Sequence, residues 1–177
     1  RYTVSDTAVA AVDSQGTVTV QAGVRTGKCE IYATVGNLDY YVGTVTVTDY
    51  TGYKAIANLS DINAVASDVA GKYVLVNDVD LNGRTGAIAT DFTGVFDGNG
   101  YALKNGIIHY NGSNKGENEK KMTAFHGETS GVVYNLAFIG WQMTGSAQQT
   151  TGSQFAFFGN VNAKARIENI YIDTTVA

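Results

Sequence analysis

Three segments in the second half of the chain share one pattern: "YALKNGIIHY", "GVVYNLAFIG" and "ARIENIYIDT". In each, an apolar residue, a spacer and an asparagine precede apolar residues around a further spacer. The asparagines are Asn105, Asn135 and Asn169, spaced by 30 and 34 residues. A second element repeats in phase: Ala124, Phe125 and Gly127 of "AFHGETS" recur as Ala156, Phe157 and Gly159 of "AFFGNVN", at an offset of 32. Self-similarity at this period marks a solenoid, whose units bury their apolar faces only against their neighbours. The repeated segments are short and β-rich, so a parallel β-helix is expected. Its coils would stack equivalent side chains into ladders. A buried asparagine ladder is physically sensible, because each amide can donate to one neighbouring rung and accept from the other. A chemical site would not need the same amide in every coil, so a structural role is expected for Asn105, Asn135 and Asn169.

The chain of 177 residues suffices for one domain or two small ones. Charged residues make up only 16%, so the surface must rely on Thr, Ser, Asn, Gln and Gly. The net charge of −4 argues against non-specific binding to nucleic acid or anionic membrane. No apolar run approaches the roughly 20 residues needed to span a bilayer, so no membrane insertion is expected. Arg1 opens in what reads as mid-strand, which places any targeting segment outside these residues. Cys29 is the single cysteine, which excludes an internal disulfide framework and a cysteine metal cluster. It alternates with Ile31 and Ala33 and is expected to be a small buried apolar residue. Proline is absent, and 21 glycines must supply most special turn conformations.

Residues 1–49 read as β-structure throughout. "GTVTVQA" places Val18, Val20 and Ala22 on one face, and "KCEIYATV" and "GTVTVT" alternate likewise, as half-buried strands of a sandwich do. "SDTAVAAVDSQGTVTVQAGVRTGKCEIYATV" resembles the group 2 bacterial immunoglobulin-like domain. Val9, Ala10, Val12, Asp13, Gly16 and Val18 match its Val-Ala-x-Val-Asp-x-x-Gly-x-Val core, and Gly27, Ile31 and Ala33 match its later Ile-x-Ala strand. Tyr2 stands near the family's usual tryptophan. The first strands of the sandwich are missing, so either the chain is a fragment or another segment completes the sheet.

Residues 50–58 read as a joint, and "NLSDINAVASDVAG" as a helix. Ser60 is the expected N-cap, with Asp61 in the first turn. Leu59, Ile62, Val65, Ala66 and Val69 form one apolar stripe, and Gly71 is expected to end the helix in the left-handed conformation. Residues 59–177 would then form this helix and a short β-helix, whose first coil the helix over 60–70 caps. From about residue 55 to 175, "GKYVLVNDVDLNG", "FTGVFDGNGYALKNGII", "TAFHGETSGVVYNLAF" and "FAFFGNVNAKARIENIYI" resemble, in order, the GLUG-like right-handed β-helix repeats of bacterial surface proteins. The resemblance implies a non-catalytic stalk or adhesion element, although related β-helices include polysaccharide lyases and hydrolases. The expected fold class is therefore all-β: a partial immunoglobulin-like sandwich followed by a short right-handed parallel β-helix with one capping helix.

Two stretches invite a chemical reading. "DVDLNG", with Asp78, Asp80 and Asn82, has the Asp-x-Asp-x-Asn-Gly opening of a calcium loop, but an EF-hand needs a bidentate carboxylate at its twelfth position, where Ala89 stands. A strand end whose side chains satisfy turn backbone is the plainer expectation. "FTGVFDGNGYALKN" contains Asp97, Gly98, Asn99 and Gly100, read as the turn between coils, with Phe92, Val95 or Phe96, and Leu103 filling the core. Asp78, Asp80, Asp91 and Asp97 could approach one another, yet nothing places them across a groove as glycoside chemistry requires. His109 and His126 lack any partner at catalytic spacing and read as strand or turn residues. No phosphate loop, zinc motif or nucleotide fingerprint is present, so no cofactor is expected. The polar stretch Tyr110 to Met122, with Lys115 and Glu117, reads first as a solvated insertion and second as a candidate binding loop, and Trp141 opens a second candidate loop. Asn58 and Asn111 lie in Asn-x-Ser sequons, which matter only in a chain secreted by a eukaryotic cell.

The expected function is a non-enzymatic structural or adhesion module, extracellular on a bacterial surface. A virion component, such as a capsid decoration or fibre protein, is the alternative, and a carbohydrate-active β-helix enzyme ranks third. Carbohydrate or a host surface is the expected ligand. "IENIYIDTTVA" reads as a good strand with nothing after it to cap the coil, so further chain or a protein subunit is expected to cover that end.

Overall fold

Alternation of apolar and polar residues with glycine-rich breaks gives a mostly β molecule. The computed structural model describes residues 1–110, 120–145 and 156–176, with one α-helix among them. The chain divides into two units, Arg1–Thr51 and Gly52–Ala177.

In the first unit, β1 (Tyr2–Val4), β4 (Gly27–Val35) and β5 (Leu38–Val47) form an antiparallel sheet in the order β1-β4-β5. β2 (Ala10–Val12) pairs antiparallel with β3 (Val18–Val20). Asp13 fixes the turn between β2 and β3, because its Oδ1 accepts from the N–H groups of Gln15 at 2.9 Å and Thr17 at 2.8 Å. The core is Val9, Ala10 and Cys29, packed against Val4, Val18, Val24, Val45 and Val47. Cys29 is buried, as the alternation predicts. Val20 is 42% exposed, so the expected face of Val18, Val20 and Ala22 faces the core only at Val18.

In the second unit every strand pairing among the described residues is parallel. β6 (Lys54–Ile56) pairs with β7 (Lys72–Leu75), so part of the expected joint 50–58 is already sheet. β7, β10 (Val95–Asp97), β14 (Val132–Gly145) and β16 (Arg166–Val176) then stack in register, with Lys72, Val95, Val132 and Arg166 on successive rungs. Each stretch between rungs is one pass of the chain. β14 is the organising strand. One side meets β10, then β11 (Ala102–Lys104), then β12 (Ile107–Tyr110), and the other meets β16. β8 (Val79–Asp80) extends the sheet beyond β11. A second wall, a separate three-stranded sheet, is built from β9 (Ala89–Thr90), β13 (Thr123–Thr129) and β15 (Ala156–Val161).

Aromatic rings fill the space between these walls. Phe92, Phe96, Leu103, Phe125, Phe138 and Trp141 are all buried in one cluster. Val95 is only half-buried, so Phe96 is the residue of that pair that fills the core. Phe125 stacks on Phe158 of the next pass, 5.3 Å between centroids and 12° between planes. This pairing corrects the repeat. Thr123 faces Ala156 and Phe125 faces Phe158, an offset of 33, until a bulge between Phe125 and Glu128 brings Glu128 opposite Asn160. The extra residue of a bulge shifts register by one, which the periodicity of the letters alone hides.

The helix α1 (Leu59–Val65) is shorter than the expected 60–70, and its cap lies elsewhere. Asn58, not Ser60, is the N-cap: its Oδ1 accepts from Ser60 N–H at 2.9 Å and Asp61 N–H at 3.1 Å. Asp61 reaches back to the N–H of Ala57 at 2.9 Å. Ile62 and Val65 enter the main core. Beyond Val65 the hydrogen bonds tighten to three-residue turns, Ser67 N–H donating to Ala64 O and Asp68 N–H to Val65 O. Thr93 and Gly94 donate to Val69 O, and Val95 donates to Gly71 O. Gly71 does not adopt the left-handed conformation. It is needed for room, since a Cβ there would lie 2.6 Å from the Tyr73 hydroxyl.

Two glycines of one corner separate crowding from conformational strain. A Cβ on Gly98 would overlap the Asn135 carbonyl oxygen and lie 2.5 Å from Leu136 Cα, whereas Gly100 has φ +81° and open space around it. Gly98→Ala is expected to cost about 3 kcal/mol or more in urea unfolding, and Gly100→Ala about 1 kcal/mol. Equal losses would contradict this account of the corner.

Candidate functional site: the Asp-x-Asn-Gly corners

"DLNG" (80–83) and "DGNG" (97–100) are the same structural device. In the first, Asp80 Oδ1 accepts from Asn82 N–H at 2.7 Å; in the second, Asp97 Oδ1 accepts from Asn99 N–H at 2.8 Å. Both asparagines are left-handed, at φ 50° and 51°, and each is followed by a left-handed glycine, Gly83 at 72° and Gly100 at 81°. Each corner is gripped by one asparagine of the following pass. Leu81 N–H donates to Lys104 O and Gly83 N–H to Asn105 O. Correspondingly, Gly98 N–H donates to Tyr134 O and Gly100 N–H to Asn135 O. The amides close the loop: Asn105 Nδ2 donates to Asp80 Oδ2 at 2.9 Å, and Asn135 Nδ2 to Asp97 Oδ1 at 3.3 Å. The carboxylates thus join two passes and brace their own turns.

The asparagines form two columns rather than one ladder. Asn169 Nδ2 donates to Asn135 Oδ1 at 2.9 Å, and Asn135 donates to Asp97, so the first column runs Asp97, Asn135, Asn169. Asn105 lies outside it, because Lys104 is in register with Ile139 and Asn105 N–H donates to Ile139 O. Its column runs through Asp80 and Gly140, where φ is 64° and a Cβ would stand 3.0 Å from Asn105 Oδ1. Nor is either column deeply buried. Asn105 and Asn169 are exposed and Asn135 half-buried, while Asp97 is 1% exposed. The column begins on a carboxylate because an amide chain donating in one direction needs a pure acceptor at its end. The phenol of Tyr134 is pushed well above its ordinary value, first by burial and then by its hydrogen bond to Asp97.

Asp91 supplies a third corner that the sequence does not single out as structural. It is left-handed at φ 54°, and its Oδ1 accepts from Glu128 N–H of the next pass at 2.8 Å. All six non-glycine residues with positive φ among those described are Asn or Asp: Asn82, Asp91, Asn99, Asn105, Asn135 and Asn169. These are the residue types whose short polar side chains tolerate that conformation. Asp78 links passes as well. Its Oδ1 accepts from Ala102 N–H at 2.9 Å, and Lys104 Nζ lies 2.5 Å from Oδ2. The hydrogen bond from Lys104, then that from Ala102, holds its carboxyl below the usual carboxylate range.

The remaining candidates fall elsewhere. Tyr110 and Trp141 are interior residues and not loop contacts: Tyr110 is fully buried, and Trp141 is packed 5.3 Å from Phe138 with Nε1 donating to Leu103 O at 2.8 Å. Left-handed Gly140 and the register shift between Phe138 and Trp141 reset the alternation of β14 and turn Trp141 inward. Lys115, Glu117 and Asn111 lie outside the described residues. His109 Nδ1 shares a hydrogen bond with Thr144 Oγ1 at 2.7 Å, and His126 Nδ1 with Thr123 Oγ1 at 3.2 Å, both within the sheets. No group of three His, Cys, Asp or Glu that could hold a metal exists among the described residues, and no helix among them is long and apolar enough to cross a membrane. The carboxylates of Asp78 and Asp80 and the backbone N–H of Asn82 are spent on the fold, so the calcium-loop resemblance of "DVDLNG" has a structural cause.

Calcium is therefore expected to leave the melting temperature unchanged, while Asp80→Ala lowers stability by about 1–3 kcal/mol through loss of charge-assisted bonds. A calcium-dependent rise in melting temperature that Asp80→Ala abolishes would return the motif to metal binding. No family model, curated protein or solved structure matches this chain.

Proposed function

We propose that this chain is a non-enzymatic structural or adhesion module of a bacterial extracellular surface protein, with a partial immunoglobulin-like sandwich and a short right-handed parallel β-helix capped by α1. One observation carries the reading. The carboxylates that an acid–base site would use, Asp78, Asp80, Asp91 and Asp97, each accept backbone or side-chain hydrogen bonds from the adjacent pass. Glycoside chemistry needs two carboxyl groups facing one another across a substrate, and these four are committed to holding the stack together. The low-charge surface rich in Thr, Asn and Gly suits a stalk whose contacts are weak and repeated. Carbohydrate or a host surface is the proposed ligand class.

A second reading, a virion decoration or fibre component, draws on β16. Among the described residues this 11-residue strand pairs on one side only, with β14, and carries exposed Tyr171, Ile172 and Val176. An open parallel edge of that length is a template for another strand. We propose that neighbouring chain or a protein subunit covers it.

Incubation of the purified chain with immobilised glycans, and separately with a panel of soluble polysaccharides, tests the first reading. Retention on a glycan surface without new reducing ends is the expected result. Depolymerisation of any polysaccharide by the folded chain would overturn it, and symmetric oligomers joined through β16 would favour the virion component.

A further inference from the structure

We propose that the cleft formed around Arg84, Thr85, Ala87 and Thr90, with Lys120 and Lys121 at its side, binds a small saccharide through a carboxylate, as a uronic acid would. The cleft has a volume of about 420 Å³, within the roughly 300–1,000 Å³ of small-molecule sites. Its described lining contains three cations and no carboxylate.

Arg84 is the centre of the site. It is half-buried, Nη2 donates to Ala87 O at 2.9 Å, and Nη1 is buried with no acceptor. Arg84 forms none of the salt bridges among the described residues, which join Arg25 to Asp49, Lys54 to Asp68, Lys104 to Asp78 and Arg166 to Glu168. Burial pushes the guanidinium below its ordinary value, as it does for a charge lacking a counter-ion. A buried donor without an acceptor is costly, and a charged one more so. Arg84 also lines the cleft, and a planar carboxylate entering it is the ligand shape that a guanidinium fork recognises. The hydroxyls of Thr85 and Thr90 offer both donors and acceptors for ring hydroxyls. The lining lacks the large apolar pockets that anchor a peptide, which favours a saccharide as the carrier of the carboxylate. The site does not depend on whether the module is adhesive or purely structural.

Titration of the whole chain at low ionic strength with glucuronate, glucose and N-acetylglutamate amide, followed by calorimetry, tests the proposal. Glucuronate is expected to bind saturably at millimolar concentration, and glucose not at all. Arg84→Gln is expected to weaken glucuronate by about tenfold or more, the worth of one charge-assisted contact. Lys121→Gln, a milder change at the side of the cleft, is expected to weaken it severalfold with an unaltered melting curve, and it carries the test if the arginine variant fails to fold. Absence of saturable glucuronate binding, equal binding of glucose, preference for N-acetylglutamate amide, or affinity unchanged in the folded variants would each overturn the proposal. None of these outcomes bears on polysaccharide depolymerisation, so failure here is distinct from failure of the module reading.

Discussion

The parallel stack depends on a carboxylate that serves two passes of chain at once. At Asp80 and Asp97 the side chain accepts the N–H two residues ahead and an asparagine amide from the following pass. Turning a strand out of its plane needs a residue in the left-handed region, which costs an ordinary L-residue about 1–2 kcal/mol. A hydrogen bond to a charged acceptor contributes about 1.5–3 kcal/mol. The two are comparable, so a corner made of Asp, Asn and Gly holds its turn and its register together. Where the corner lacks an Asp, as at Asn135, the amide links both sides by donating to Asp97 and accepting from Asn169.

Packing then follows from register. With the corners stacked, the side chains between them fall into line, and Phe125 meets Phe158 ring over ring while Phe138 lies 4.7 Å from Phe157. α1 covers the same cluster with Ile62 and Val65. The hydrophobic effect supplies the driving force but not the alignment, since a one-residue slip would place polar residues inward. The irregularities show the tolerance: register slips between Phe125 and Glu128, beside left-handed Gly127, and between Phe138 and Trp141, beside left-handed Gly140, and resumes after each.

Much of this is written in the residues, though not in the phase that the letters suggest. Repetition of apolar–spacer–Asn points to stacked passes, and the three asparagines are structural. Asn105, however, belongs beside Asp80 and Gly140, because each pass turns at more than one corner and the same residue type serves both. "DVDLNG" resembles a metal loop for a physical reason: a chelating loop and a tight corner both need oxygen atoms aimed at one point. Asp91 escapes notice because its partner is the backbone of Glu128, and backbone leaves no trace in a sequence. Tyr110 and Trp141 are misleading by position, each standing where an apolar strand meets a polar stretch. Ser60 loses the cap to Asn58, whose side chain reaches two N–H groups of the first turn.

The central claim concerns one pair, Asp97 and Asn135, and a double-mutant cycle tests it directly. Urea unfolding of the parent, Asp97→Ala, Asn135→Ala and the double variant isolates their coupling from the other bonds each residue makes. If the carboxylate fastens adjacent passes, the coupling free energy is about 1 kcal/mol or more. Additive losses, with a coupling near zero, would show that the corners are only turns and that the stack is held by its core alone.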